Sequence, residues 1–161
     1  MPAVLFNIPL VRWVQRTIER MNAVGKDDFE TWSNYWFRTY KDLGGQSDSS
    51  GSKECPKHAA YGLWCLGRIS NCGKTFQNWT LDRVNKELGK NAAYAVLALE
   101  LLERKRGDKD TVGFWSKAEL WAIVQELYQV KIGEPPAQSE QGAVKIALGL
   151  FMESQTDSGP Q

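Results

Sequence analysis

The sequence predicts an all-α fold, a single compact domain of about six or seven helices packed as an orthogonal, irregular bundle. Three observations carry that expectation. Apolar residues recur every three or four positions along most of the chain, which lines one face of a helix. Start and stop signals punctuate those stretches, with Ser, Thr and Asp at openings and Gly or Pro at ends. No segment sustains period-two alternation, and no Asn-Gly hairpin signal sits between β-branched runs.

Pro9 opens the first helix, because its fixed φ suits a first turn. Leu10, Val14, Ile18 and Met21 form its apolar stripe, and Gly25 ends it. Asp27 or Asp28 caps a second helix that runs to about Leu43. Gly44-Gly45 stops it, and residues 44–53, GGQSDSSGSK, read as a flexible Gly/Ser-rich loop. Pro56 opens a third helix to about Leu66, with Gly67 in the C-terminal cap position. Thr80 caps a short helix that ends at Leu88-Gly89. Ala92 to Arg104 is rich in Ala and Leu, the strongest helix formers. Ser116 and Glu119 make a capping box for a helix to about Val130, and Gly133 with Pro135-Pro136 ends it. Ser139 caps a last helix through Met152. The domain then spans 1–152, and 153–161 form a polar, disordered tail.

A chain of 161 residues can bury a core without disulfides or a structural metal. Seven Trp make that core aromatic-rich. Three Cys at irregular spacing do not form a disulfide framework, and free thiols suit a reducing cytoplasm. The opening MPAVLFNIPL lacks the basic start and cleavage site of a signal peptide. No apolar run approaches the roughly 18 residues of a membrane span.

Net charge is +1, which argues against unselective binding to nucleic acid or anionic lipid. The charge is unevenly spread. Residues 53–90 hold seven Lys/Arg against three acids, so any anion-seeking surface belongs there, whether for a small anion or, less favoured, for nucleic acid. The basic run Arg104-Lys105-Arg106, with Lys109, is explained by the negative end of a helix dipole. There is no GxxxxGK[ST], GxGxxG after a strand, HExxH or GxSxG. A single His excludes two-histidine mechanisms. No cofactor is implied.

Cys55-Pro56-Lys57-His58 is the most chemically suggestive stretch. With Pro56 as first helical residue, Cys55 is the N-cap. A thiolate there faces unpaired N–H groups and the positive helix end. His58, three residues on, is then a candidate base for a Cys55 nucleophile. Against this, Cys can simply cap or pack, and no nearby motif supplies an orienting partner or oxyanion site. Zinc fails on geometry: ten helical residues separate Cys55 from Cys65 by about 15 Å, and one tetrahedral ion cannot hold both. The same helix start reads more simply as an anion corner using Lys53, Lys57 and His58. On the second helix, Phe29, Trp32, Trp36 and Tyr40 share one stripe. Core packing is the default reading, and a partner interface through Trp32, Trp36 and Tyr40 is the alternative.

Residues 55–69, CPKHAAYGLWCLGRI, resemble the pattern CP[KR]xAxxGLCxxGxI, departing from it at Trp64-Cys65. Lys90-Asn91-Ala92-Ala93-Tyr94-Ala95 followed by Leu99 and Leu102 resembles KNxxYAxxAxxxL. Together these resemble a family of small uncharacterised bacterial helical domains over about residues 30–150. The resemblance implies a bacterial or phage cytoplasmic protein and brings no activity with it. It marks Lys90, Asn91 and Tyr94 as a second polar group, expected to join the Cys55 helix start in one ligand pocket, with Asn91 capping its helix.

The leading functional expectation is a non-catalytic protein-binding or regulatory module, possible as an inhibitor or a homodimer. The alternatives are a thiol-dependent enzyme using Cys55 and His58, and an anion or nucleic-acid binder using residues 53–90.

Overall fold

The structure, a computed structural model, describes residues 3–107, 115–140 and 142–157. Lys109 and the last four residues of the expected tail lie outside them. The chain opens with a minimal antiparallel hairpin, β1 (Val4–Leu5) and β2 (Ile8–Pro9), that the sequence reading did not foresee. Its turn residues Phe6 and Asn7 both have positive φ, as a type I′ turn requires. Helices α1 (Leu10–Val24) and α2 (Phe29–Asp42) follow and pack on each other. Pro9 precedes α1 rather than entering it, and Asp28 caps α2 by accepting from the Thr31 N–H at 2.9 Å.

The expected structureless loop at 44–53 holds a helical turn, α3 (Asp48–Gly51). The reason is Tyr40. Its ring lies against Gly45 and Gly51, where a Cβ on either would collide with it. Its hydroxyl accepts from the Ser47 N–H at 3.0 Å. Small residues in this stretch let the backbone fold over the ring.

Next come α4 (Glu54–Cys65), α5 (Leu81–Leu88), α6 (Lys90–Gly107), α7 (Lys117–Ile132) and α8 (Ala143–Asp157). The capping box of α7 forms between Ser116 and Glu119, with bonds of 3.1 Å in each direction. The start of α8 differs from the expected Ser139 cap. The Glu140 carboxylate accepts from the N–H groups of Val144 and Lys145 instead, at 2.9 and 3.3 Å. The helix also continues five residues past Met152, through the start of the expected tail.

The centre of the fold is α6. Every residue from Ala92 to Leu99 is buried, because α4, α5, α7 and α8 all pack on it. Such a helix must be apolar all round. Four of those eight residues are Ala, which keeps the neighbouring backbones close. A second cluster joins α1, α2 and α4 through stacked indoles. Trp13 stacks on Trp36 at 4.2 Å between ring centroids, and Trp32 stacks on Trp64 at 5.3 Å. Both clusters belong to one continuous core. The fold is all-α apart from the hairpin, as the periodicity predicts.

Candidate functional site

Helix α4 begins at Glu54 and Lys53 occupies the N-cap, so Cys55 is the second helical residue and Pro56 the third. The first turn of a helix has no intrahelical acceptors for its N–H groups, so Pro is tolerated beyond its first position. Cys55 therefore does not sit where the cap would face the open N–H groups. His58 is also committed elsewhere. Its Nδ1 donates to the Glu54 carbonyl at 2.9 Å and lies 3.2 Å from the Glu54 carboxylate. Its ring stacks on Phe29 at 4.1 Å.

Lys57 is not an anion-binding lysine. It is buried, and its ammonium donates to Ser33 Oγ at 2.7 Å and to Glu54 Oε1 at 3.0 Å. The Phe29 ring lies beneath it. Lys53 extends over the Phe6 ring at 5.9 Å. Glu54 thus places a negative charge in the helix's first turn, where the dipole favours one.

The second polar group dissolves similarly. Helix α6 starts at Lys90, so Asn91 lies inside the first turn rather than capping it. Tyr94 is fully buried; its hydroxyl accepts from the Ala137 N–H at 2.9 Å, and its ring meets Trp121 and Tyr128 edge-on. Burial raises its phenol pKa, and the nearby Cys55 adds to the rise. The two motifs do approach each other at this point, through a core tyrosine rather than an open pocket.

Trp32, Trp36 and Tyr40 are core residues and offer no partner surface. The basic middle third is largely neutralised. Lys57, Arg68, Lys74, Arg83 and Lys86 are each ion-paired, to Glu54, Glu100, Asp27, Glu87 and Asp82. Cys65 is also unsuited to nucleophilic work, because burial raises its thiol pKa against the opposing pull of Tyr61 and Lys74. Among the described residues no three His, Cys, Asp or Glu side chains converge as metal ligands. No described helix is long and apolar enough to cross a membrane.

What the surface does offer is a cleft between α1 and α8, about 870 Å³ in volume. Pro9, Val11, Leu148 and the half-exposed Met152 supply its apolar lining. Arg12 and Arg16 stand one helical turn apart along it. Neither forms an ion pair among the described residues. At the far end Glu19 and Glu153 are shared with a smaller polar pocket of about 320 Å³ that reaches Arg68 and Glu103. Apart from Arg68, which falls in the basic stretch 53–90, the sequence reading does not reach these residues. One signal was present: the Arg12/Arg16 spacing on the polar face of the first helix.

A family model described as a family of unknown function, DUF6979, matches residues 11–155, so the chain belongs to that family. No curated protein and no solved structure matches the chain.

Proposed function

We propose that this DUF6979 member is a non-catalytic protein-binding module whose partner docks in the α1–α8 cleft. The carrying observation is the pair of exposed arginines, Arg12 and Arg16, beside an apolar floor. An unpartnered cationic pair on an apolar groove complements an acidic amphipathic helix. The dimensions suit one. From Pro9 to Glu19 the cleft follows ten residues of chain, or about 15 Å at helical rise. That length accepts roughly three turns of a partner helix. Two acids one turn apart on the partner would meet Arg12 and Arg16. A basic residue about one turn further would meet Glu19 and Glu153. No disulfide joins Cys55, Cys65 or Cys72, which suits a reducing cytoplasm as the place of action.

Affinity capture from the organism that encodes the chain tests this, run in parallel on three proteins. These are the wild type, the charge reversal Arg12→Glu/Arg16→Glu, and the control reversal Arg38→Glu on α2. The expected result is a partner retained by the wild type and control and weakened at least about tenfold by the cleft reversal, with affinity falling as salt rises. Equal capture by all three proteins removes the cleft from the reading. Light scattering on the purified chain separates a second copy from a foreign partner.

A further inference from the structure

We infer that the polar pocket bounded by α1, α6, α8 and the turn after α4 is a separate small-molecule site, taking an ammonium ligand that carries an acceptor oxygen. Two independent features point to that chemistry. The first is charge. Glu19, Glu103 and Glu153 line the pocket, while the one cation on its wall, Arg68, is already paired with Glu100 at 3.1 Å. The remaining field is negative and favours a cation. Lost hydration makes Glu103 hold its proton more tightly than an ordinary glutamate; Glu100 reinforces this, and Arg68 and Arg106 oppose it. An ammonium at the pocket reverses that tendency.

The second feature is the Arg68 guanidinium. Its side chain is only 4% exposed. One terminal nitrogen donates to Glu100 and the other to the Gln77 carbonyl at 3.1 Å. The Nε–H is buried and has no acceptor among the described residues. Buried donors in native proteins are almost always satisfied, so this one marks a place where an oxygen belongs. Arg68 lines the same pocket as Glu103 and Glu19, which sets it beside the acidic wall. Beside it, Ser70 and Asn71 add hydroxyl and amide groups, and Asn71 holds a left-handed φ of 59° that turns the chain around the opening. A pocket of about 320 Å³ lies at the lower end of small-ligand sites. The ligand is therefore of amino-alcohol or amino-sugar size. The site is independent of the protein partner proposed above, although both use Glu19 and Glu153.

Amide NMR titration with glucosamine, glucose and hexylamine tests the inference. Glucosamine supplies both charge and oxygen, and each comparator lacks one of them. Saturable shifts at Ser70, Asn71 and Glu103 are expected with glucosamine, and binding at least about tenfold weaker with either comparator. Glu103→Gln, at an exposed position, keeps the shape and should weaken glucosamine about tenfold. Arg68→Lys keeps the charge but removes the Nε donor, so it should weaken glucosamine and leave hexylamine unchanged. Arg12→Glu/Arg16→Glu adds negative charge within a turn of Glu19, so it should tighten glucosamine while it weakens the protein partner, and these opposite signs separate this site from the docking cleft. Absence of saturation with glucosamine, or shifts that are the same in Glu103→Gln, overturns the assignment.

Discussion

Trp13 and Trp36 stack face to face, yet their N–H groups fare differently. Trp13 Nε1 donates to the Trp36 carbonyl at 2.9 Å. Trp36 Nε1 is buried without an acceptor among the described residues. Phe in place of either indole removes similar volume from the same stack. The Trp13→Phe change also loses a buried hydrogen bond, whereas Trp36→Phe removes an unsatisfied donor. Trp13→Phe should therefore be the more destabilising by about 1–2 kcal/mol. Urea midpoints of the two variants measure this, and the reverse order would show that packing outweighs the polar terms. The same residues show what periodicity can reveal. It places Trp32, Trp36 and Tyr40 on one face, but a face destined for the core and one destined for a partner have the same spacing. Only the presence of α4, with Trp64 stacked on Trp32, and of the 44–53 segment over Tyr40 decides it.

Helices α4 and α6 cross where Gly62 meets Ala92. A Cβ on Gly62 would overlap the Ala92 methyl. This explains a glycine in mid-helix, where propensity alone favours alanine by about 1 kcal/mol. Gly62→Ala should destabilise the protein by about 1–3 kcal/mol through overpacking. Adding Ala92→Gly should recover part of that loss despite its own propensity cost, because the two sites share one contact. Thermal melts of the four proteins in the cycle give the coupling. Additive effects would mean that the helices separate instead of clashing. At this scale the sequence was legible wherever a signal is local. The α7 capping box, the Thr80 cap and the glycine after α1 all depend on neighbours within four residues. It misled where a local signal had several solutions. Pro56 suits any position of a first turn, so it left the α4 start ambiguous by two residues and put Cys55 at the cap. Ser139 was a reasonable cap, but Glu140 could reach the same N–H groups.

The surface sites belong to the whole molecule, and this is why sequence reading did not find them. Arg12 and Met152 line one cleft, and Glu19 and Glu103 one pocket, only because α1 packs on α8 and α8 on α6. Charge reading failed partly for the same reason: two of the bases in 53–90 find acids on other elements, Lys74 on Asp27 and Arg68 on Glu100, while Lys57, Arg83 and Lys86 pair within their own helices. The long-range packing that makes these sites also makes a prediction about stability. The Trp stack ties α1 and α2 to α4, α4 packs on α6, and α8 closes over α1, α4 and α6. Residues 1–52 alone would leave Trp32 without Trp64 and α1 without α8, exposing aromatic area that the helix pair cannot bury by itself. The chain should thus unfold as one cooperative unit. Tryptophan emission, dominated by the α1–α2–α4 stack, and far-UV ellipticity, dominated by all helices, should give coincident urea transitions. An isolated 1–52 fragment should show little helix. Two separated transitions, or a folded fragment, would divide the chain at the 44–53 segment. The α1–α8 cleft would then lie between units that open independently, and a ligand filling it would raise the midpoint of the first transition alone.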